Sequence, residues 1–191
     1  MMPAAKPKTC KSCRTKFVPV RPLQVVCGFA CAMAHADKAK ARATATESLK
    51  AARAHREALA ATKPRNKWLK EAQAAVNAYV RARDASLGCV SCDKPASWDG
   101  QWHASHFRSV GAASSVRFNL WNIHKSCSVC NNFKSGNLGE YAPRLRAKIG
   151  DEKVEWIYAQ NTPVTYSIEY LQRLKKVFTK KAKRLISRHE K

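Results

Sequence analysis

Acidic residues are scarce in this chain of 191 residues: 13 Asp and Glu stand against 36 Lys and Arg, a formal charge of +23. A deficit of that size excludes the usual near-neutral metabolic enzyme and points to a polyanionic partner, either nucleic acid or an anionic membrane surface. Long apolar runs are missing as well. No stretch approaches the roughly 18 residues of a membrane span. The first thirty residues are basic and carry Pro and Cys without an apolar block, unlike a secretory signal. These absences set the membrane aside, give an intracellular expectation and leave nucleic acid as the partner. Glycine is sparse too, and residues 32–61 contain neither Gly nor Pro. That Ala-, Lys- and Arg-rich stretch has strong helix-forming composition. Beyond Met33 its only large apolar residues are Leu49 and Leu59, so it reads as a solvated helix or helical linker.

Eight cysteines are present and none is left over after pairing by spacing. In a reducing compartment they are expected as metal ligands rather than disulfides. Cys10-Lys-Ser-Cys13 with Cys27-Gly-Phe-Ala-Cys31 has the spacing of a four-thiolate zinc site. A small hairpin between the pairs brings four sulfurs to one tetrahedral ion at about 2.3 Å, and Gly28 suits the turn. Four thiolates leave no open position, so the ion is structural and holds a stretch too small for its own core. Lys8, Lys11, Arg14 and Lys16 make this knuckle a candidate DNA contact. Cys89-Val-Ser-Cys92 and Cys127-Ser-Val-Cys130 form a second such set.

The composition divides the chain into a knuckle at 1–32, the basic helix at 33–63, a core with the second cysteine set at 64–150 and basic helices at 151–191. In the core, residues 65–86 place Leu69, Ala72, Val76, Tyr79 and Val80 at helical spacing, and Gly88 ends the helix. Strand-like residues at 97–106 and a helix beginning after Cys130 suggest a β-hairpin followed by a helix. Further helices open at Asn137, at Asp151 and at Thr165. The last has Leu171, Leu174, Phe178 and Leu185 on one face. Its Lys176, Lys180, Lys183 and Arg184 are candidate phosphate contacts. Trp98, Trp102 and Trp121 read as a small core around the second zinc rather than as base-stacking platforms.

The second cysteine set frames polar residues that a structural clip does not need. They are His103-Ala-Ser-His106-Phe-Arg108, Asn122-Ile-His124-Lys125 and Asn131-Asn132-Phe-Lys134. In order, CVSC, WHASHFRS and RFNLWNIHKSCSVCNNFKSGN, preceded by PRNKWLKEAQAAVNAYVRARD, resemble the NinG (Rap) family of lambdoid-phage recombination nucleases. The resemblance runs from about Pro64 to Gly150 and reaches the first knuckle more loosely. A His ending a strand, a later Asn-Ile before CxxC and a following CNxxK also resemble the HNH, or ββα-metal, nuclease motif in its zinc-stapled form.

The resemblance implies an α+β fold, mostly helical by residue count. A small zinc-stapled ββα-metal core would carry long flanking α-helices and an N-terminal four-cysteine zinc knuckle. It further implies a phage protein acting in the bacterial host cytoplasm as a structure-selective DNA endonuclease. The substrates would be branched recombination intermediates (Holliday junctions, D-loops or flaps), and the products would carry 5′-phosphate and 3′-hydroxyl ends. Recombination proteins are implied as further partners, and a homodimer suits a junction with two opposed cleavage points.

Hydrolysing a phosphodiester requires a deprotonated water in line with the bond and a cation to neutralise charge on phosphate and leaving oxygen. His106 is the candidate general base. Asn131 is the candidate ligand of a catalytic Mg²⁺ or Mn²⁺ through its amide oxygen, which would bring the metals to two structural Zn²⁺ and one catalytic ion. Arg108 and Lys134 are candidate phosphate clamps, and Lys125 is a further candidate contact. By resemblance Asn122 orients His106. His124 is weighted toward a structural role. Many ββα-metal enzymes carry an acidic second ligand directly before the base, where this chain has Ser105. NinG relatives carry one three residues before it, where this chain has His103. His103, Ser105 and Asp99 are therefore alternatives for that ligand. The rival reading is a non-catalytic, zinc-containing protein that binds branched DNA.

Overall fold

A computed structural model describes residues 6–189 and divides the chain at the boundary between Lys63 and Pro64 into two units. In the first unit, β1 (Lys8–Thr9) and β2 (Lys16–Phe17) form a minimal antiparallel pair, Lys8 opposite Phe17 and Thr9 opposite Lys16. The 34-residue helix α1 (Phe29–Thr62) follows and buries none of its residues. Its composition explains why: Ala, Lys and Arg favour the helix while offering no apolar stripe to bury. Gly28 caps α1 at φ −164°, extended backbone open to any residue, so the turn expected of it lies elsewhere. Among the described residues of this unit, Arg14 and Leu23 take the left-handed conformation.

In the second unit, α2 (Arg65–Arg83) buries Trp68, Ala72, Val76, Val80 and Ala82. Its main partner is α5 (Ile168–His189), whose Leu171, Phe178 and Ala182 are buried. Tyr79 meets Phe178 edge-on at 5.2 Å, and Lys175 pairs with Glu71 at 2.8 Å. The helices expected at 151–191 are thus packed into the core rather than appended to it.

Between these helices, β3 (Trp102–His106) pairs antiparallel with β4 (Ile123–Cys127). The register sets Trp102 opposite Cys127, His103 opposite Ser126, Ser105 opposite His124 and His106 opposite Ile123. A π-helical turn (Val129–Phe133) follows, then α3 (Leu138–Ile149) and α4 (Asp151–Ala159). The helix expected from Cys130 onward lasts only this one turn. Ser135, Gly136 and Asn137 all take positive φ, which breaks the helical path before Asn137 starts α3. Phe107, Val116, Tyr141, Leu145, Val154 and Ile157 form one cluster that glues α3 and α4 to the hairpin. Trp98 and Trp102 pack edge-on at 5.1 Å against the second cysteine set, whereas Trp121 lies at the surface against Trp156. Among the described residues no helix is long and apolar enough to cross a membrane.

Candidate metal centres and nucleic-acid interface

The two cysteine sets converge as their spacing predicts. In each, the four Sγ atoms lie within 4.8 Å of one another. Separations of 3.6 Å between Cys13 and Cys27, 3.5 Å between Cys27 and Cys31 and 3.8 Å between Cys92 and Cys127 match the edge, about 3.8 Å, of a tetrahedron with zinc–sulfur bonds near 2.3 Å. Main-chain amides already point at the sulfurs: Cys27 N–H donates to Cys10 Sγ at 3.3 Å, and Cys127 N–H to Cys89 Sγ at 3.2 Å. Burial opposes ionisation of Cys10, but amides of Cys13, Ser12 and Cys27 outweigh it and hold the thiol down to about 6. Crowding by its sulfur neighbours, Cys31 first, pushes Cys27 up to about 12. Cys13 is also lowered, chiefly by its bond to Thr15, whereas Cys31 is raised like Cys27, so two thiolates form readily and two resist, an arrangement a dication relieves. Both sets can hold a structural zinc.

The second set fixes the geometry of its surroundings. Cys127 ends β4 and Cys130 sits in the π-turn, so the next residue, Asn131, is aimed back across the hairpin. Its side-chain amide donates to His103 Nδ1 at 3.1 Å and to Asn132 Oδ1 at 3.0 Å. His103 and Asn131 share a recess of about 450 Å³ with Asn77, Arg81, Gln101, Trp102 and Ala104. Ser105 is buried, its Oγ directed toward Gly136, and Asp99 is exposed; neither lines the recess. Of the three alternatives for a second ligand, the structure sets His103 beside Asn131.

The fit of these two groups to a cation follows from the separation. Two ligands at right angles on an octahedral ion with bonds of about 2.1 Å stand about 3.0 Å apart. Rotating the Asn131 amide exchanges its nitrogen and oxygen, which turns a hydrogen-bonded pair into a nitrogen–oxygen donor pair. Both donors are neutral and one is an imidazole. That set suits Mn²⁺, which takes a nitrogen ligand more readily, better than Mg²⁺, which prefers oxygen. Among the described residues no carboxylate lines the recess.

His106 ends β3 outside that lining. Its Nε2–H donates to the Arg117 carbonyl at 2.9 Å, which assigns the tautomer and leaves Nδ1 as the acceptor. Burial lowers its pKa; the carbonyl bond opposes that shift and the Arg117 charge adds to it. Arg117 Nε donates to Gln73 Oε1 at 3.0 Å, and Gln73 Nε2 to Asn77 Oδ1 at 2.8 Å. A polar strip on α2 therefore links the backbone that holds His106 to the wall of the His103–Asn131 recess. Gln73, Asn77 and Arg81 recur at intervals of four beside the apolar stripe of α2. That second periodicity is the sequence signal for these residues, and the stronger apolar one masks it.

Three expected roles need correction. Asn122 does not touch the His106 ring. Fully buried, it accepts from Arg108 N–H at 2.8 Å and donates to the Arg108 and Val116 carbonyls at 3.0 and 3.2 Å, closing the loop between the strands. Arg108 is no free clamp: its guanidinium donates to the carbonyls of Tyr158 at 2.8 Å and Gln160 at 3.0 Å and to Asn161 Oδ1 at 2.9 Å, capping the C-terminal end of α4. Lys125 is buried, with Nζ donating to the Ala85 carbonyl at 2.9 Å and lying 4.1 Å from the Trp102 ring centre. Lys134 is exposed, but it follows the π-turn rather than riding on a helix. Lys176, Lys180, Lys183 and Arg184 are all exposed and line one face of α5 together.

His124 is buried and held at both ring nitrogens. Arg83 donates to its Nδ1 at 3.2 Å, and its Nε2–H donates to the Trp121 carbonyl at 3.0 Å. Nearby Asp84, also buried, pairs with Arg83 at 2.7 Å and Lys148 at 3.3 Å, tying the end of α2 to β4 and α3.

The comparisons with known proteins agree on one family. A family model described as bacteriophage lambda NinG protein matches residues 2–188. Protein ninG of Escherichia phage lambda is 45% identical over 125 residues, covering 65% of this chain and 60% of that protein. Protein ninG of Escherichia phage 933W is 43% identical and that of Salmonella phage P22 42% identical, each over 125 residues, 65% of this chain and 61% of theirs. The chain thus spans about three fifths of the length of these relatives. No solved structure matches.

Proposed function

The chain belongs to the NinG family of bacteriophage proteins, and from that premise we propose that it is a metal-dependent endonuclease acting on branched DNA. The observation that carries the reading is the meeting of His103 and Asn131 at 3.1 Å, 28 positions apart in the chain, beside a thiolate cluster that fixes both. A strand, a second strand and a helical turn stapled by four cysteines is the order of an HNH-like core, and His106 ends its first strand.

In this reading His103 and Asn131 hold a divalent ion, which supplies charge neutralisation for the scissile phosphate and the departing 3′ oxygen. His106, neutral near pH 7 because burial disfavours its charged form, is the proposed base at Nδ1; it ends β3 outside the recess and is linked to it through Arg117, Gln73 and Asn77. The Arg117 carbonyl keeps that tautomer and ring orientation. Asn122 serves the base indirectly by closing the loop that carries Arg117. Lys134 and the exposed face of α5 bind phosphates, and a charge of +23 makes that binding strong and salt-dependent. Junctions, D-loops and flaps are the substrates, recombination proteins the expected partners, and a dimer meets the two-fold character of a four-way junction.

The test is incubation of the zinc-loaded chain with a synthetic four-way junction, a flap and a plain duplex, each with and without Mn²⁺ or Mg²⁺. Nicking of branched substrates only when the ion is added, leaving 5′-phosphate ends, is the expected result. His106→Ala should lower the rate about 10²- to 10⁴-fold while junction binding persists. Binding without nicking under every metal condition overturns the catalytic reading and leaves a branched-DNA-binding protein.

A further inference from the structure

The π-turn that carries Asn131 also carries Phe133, whose surface is 81% exposed. A single exposed aromatic is ordinary on a protein surface. The setting of this one is not. The backbone on either side is locked: Gly136 N–H donates to the Cys130 carbonyl at 2.8 Å, Asn137 N–H to the Lys134 carbonyl at 2.7 Å, and the Asn137 amide to the Ser91 carbonyl at 2.6 Å. Ser135, Gly136 and Asn137 all hold left-handed conformations to make that fold-back. Cys130 is itself a member of the second thiolate set. Phe133 is thus an apolar ring presented to solvent on a turn whose backbone is held in place, flanked by exposed Asn132 and Lys134.

Its position gives the occupant. Consecutive Cα atoms are about 3.8 Å apart, so Phe133 lies at most about 7.6 Å along the chain from Asn131. A DNA strand whose phosphate occupies the His103–Asn131 recess brings its own bases within reach of the ring. In intact duplex those bases are stacked and present only their edges. At a branch, flap or single-stranded gap they offer a free face, and an aromatic ring takes any base because every base has one. The neighbouring Lys134 and the strongly positive chain complement the accompanying phosphates.

Resting on the endonuclease reading above, we infer that Phe133 is a stacking platform for an unpaired nucleobase next to the scissile phosphate. By this contact the chain distinguishes branch points and single strands from intact duplex.

The experiment measures binding, with no divalent ion added so that no strand is cut. Four DNAs are used: a four-way junction, a splayed Y, a single strand and a duplex of equal length, with 2-aminopurine placed at the unpaired or branch position. The proteins are wild type, Phe133→Ala, Phe133→Leu and Phe133→Trp, each verified to carry two zinc ions per chain. Expected for Phe133→Ala and Phe133→Leu is a roughly tenfold or larger loss of affinity for the junction, Y and single strand. Duplex affinity should stay unchanged and the 2-aminopurine signal should lose its protein-induced change. Phe133→Trp should restore both. If wild type prefers branched DNA and Phe133→Ala keeps that preference, the stacking role is overturned while the endonuclease reading stands. If wild type shows no preference for branched over duplex DNA, both the stacking role and the choice of substrate fail. Wild-type binding preference with no cleavage under any metal defeats the catalytic reading alone, and the platform is then judged on the Phe133 variants.

Discussion

His106 gives its Nε2 proton to the carbonyl oxygen of Arg117 at 2.9 Å, so the ring nitrogen left to accept a proton is Nδ1. Burial holds its pKa below the ordinary 6.5, although that carbonyl pulls the other way. A base must be neutral to work, and a lowered pKa keeps it neutral further into acid. The rate of junction cleavage per unit enzyme and substrate, plotted against pH, should therefore fall only below 6.5 on its acidic side. A limb centred above 6.5, or one that persists in His106→Ala, would remove the residue from the reaction.

Arg108 and the α5 cations look alike in sequence and should behave oppositely. The Arg108 guanidinium is committed to the end of α4, while Lys176, Lys180, Lys183 and Arg184 are exposed on their face. Arg108→Gln should destabilise the second unit by about 2–4 kcal/mol, because several charge-assisted bonds to main-chain carbonyls disappear together. It should leave the salt dependence of DNA binding as it was. Changing all four α5 residues to Gln should do the reverse. Stability changes little, and the slope of log affinity against log salt flattens by up to about 0.9 for each phosphate that is no longer neutralised. Denaturant melts and salt titrations of the two variants, run side by side, make the comparison.

That contrast shows where sequence reasoning reaches and where it stops. The cysteine sets, the apolar stripes of α2 and α5 and the starts of α3 and α4 are local patterns, set by spacing along one segment, and the fold follows them. The role of Arg108 depends on where the carbonyls of Tyr158 and Gln160 end up, fifty positions away, and nothing near Arg108 encodes that. Lys125 is hidden because β4 is covered on both sides, which its alternating neighbours do not reveal. The family resemblance marks Asn122 as important, but its amide is spent on the loop backbone rather than on His106. The early end of the helix after Cys130 is legible in principle: Lys-Ser-Gly-Asn is a helix-stopping sequence, and its Gly136 takes the left-handed conformation that glycine tolerates best. The pairing of His103 with Asn131 is one of three alternatives in the sequence, and only the register of β3 against the second cysteine set separates them.

Acid should weaken the fold through His124. Burial, then the charges of Lys148 and Arg83, push its pKa down to about 4. The folded state keeps it neutral, whereas the unfolded chain takes up a proton below about 6.5, so stability is full above that value and falls as pH drops toward 4. The loss by pH 5 is about 2 kcal/mol for this group. Asp84 does not share this window. Its pKa is lowered from 3.8, because Arg83 and Lys148 overcome the burial that would raise it, and its contribution disappears only in stronger acid. Denaturant midpoints at pH 7 and pH 5, with zinc supplied throughout, should differ for wild type and differ less for His124→Gln. Equal shifts in both proteins would remove His124 as the cause.

The choice of catalytic ion should turn on a single side chain. His103 offers an imidazole nitrogen and Asn131, once its amide is turned, an oxygen, and among the described residues the recess they share has no carboxylate. A neutral nitrogen-containing pair favours Mn²⁺ over Mg²⁺, since Mg²⁺ gives up water reluctantly and prefers charged oxygen ligands. Wild type should therefore need less Mn²⁺ than Mg²⁺ for half-maximal cleavage, by tenfold or more. His103→Asp adds a hard, negatively charged oxygen at the same register position of β3 and should bring the two requirements closer together, chiefly by improving the Mg²⁺ response. His103→Ala should raise both requirements at least tenfold while leaving zinc content at two ions per chain. If His103→Ala cleaves with unchanged metal dependence, the imidazole is only a neighbour of Asn131, and the second ligand has to be sought outside the recess.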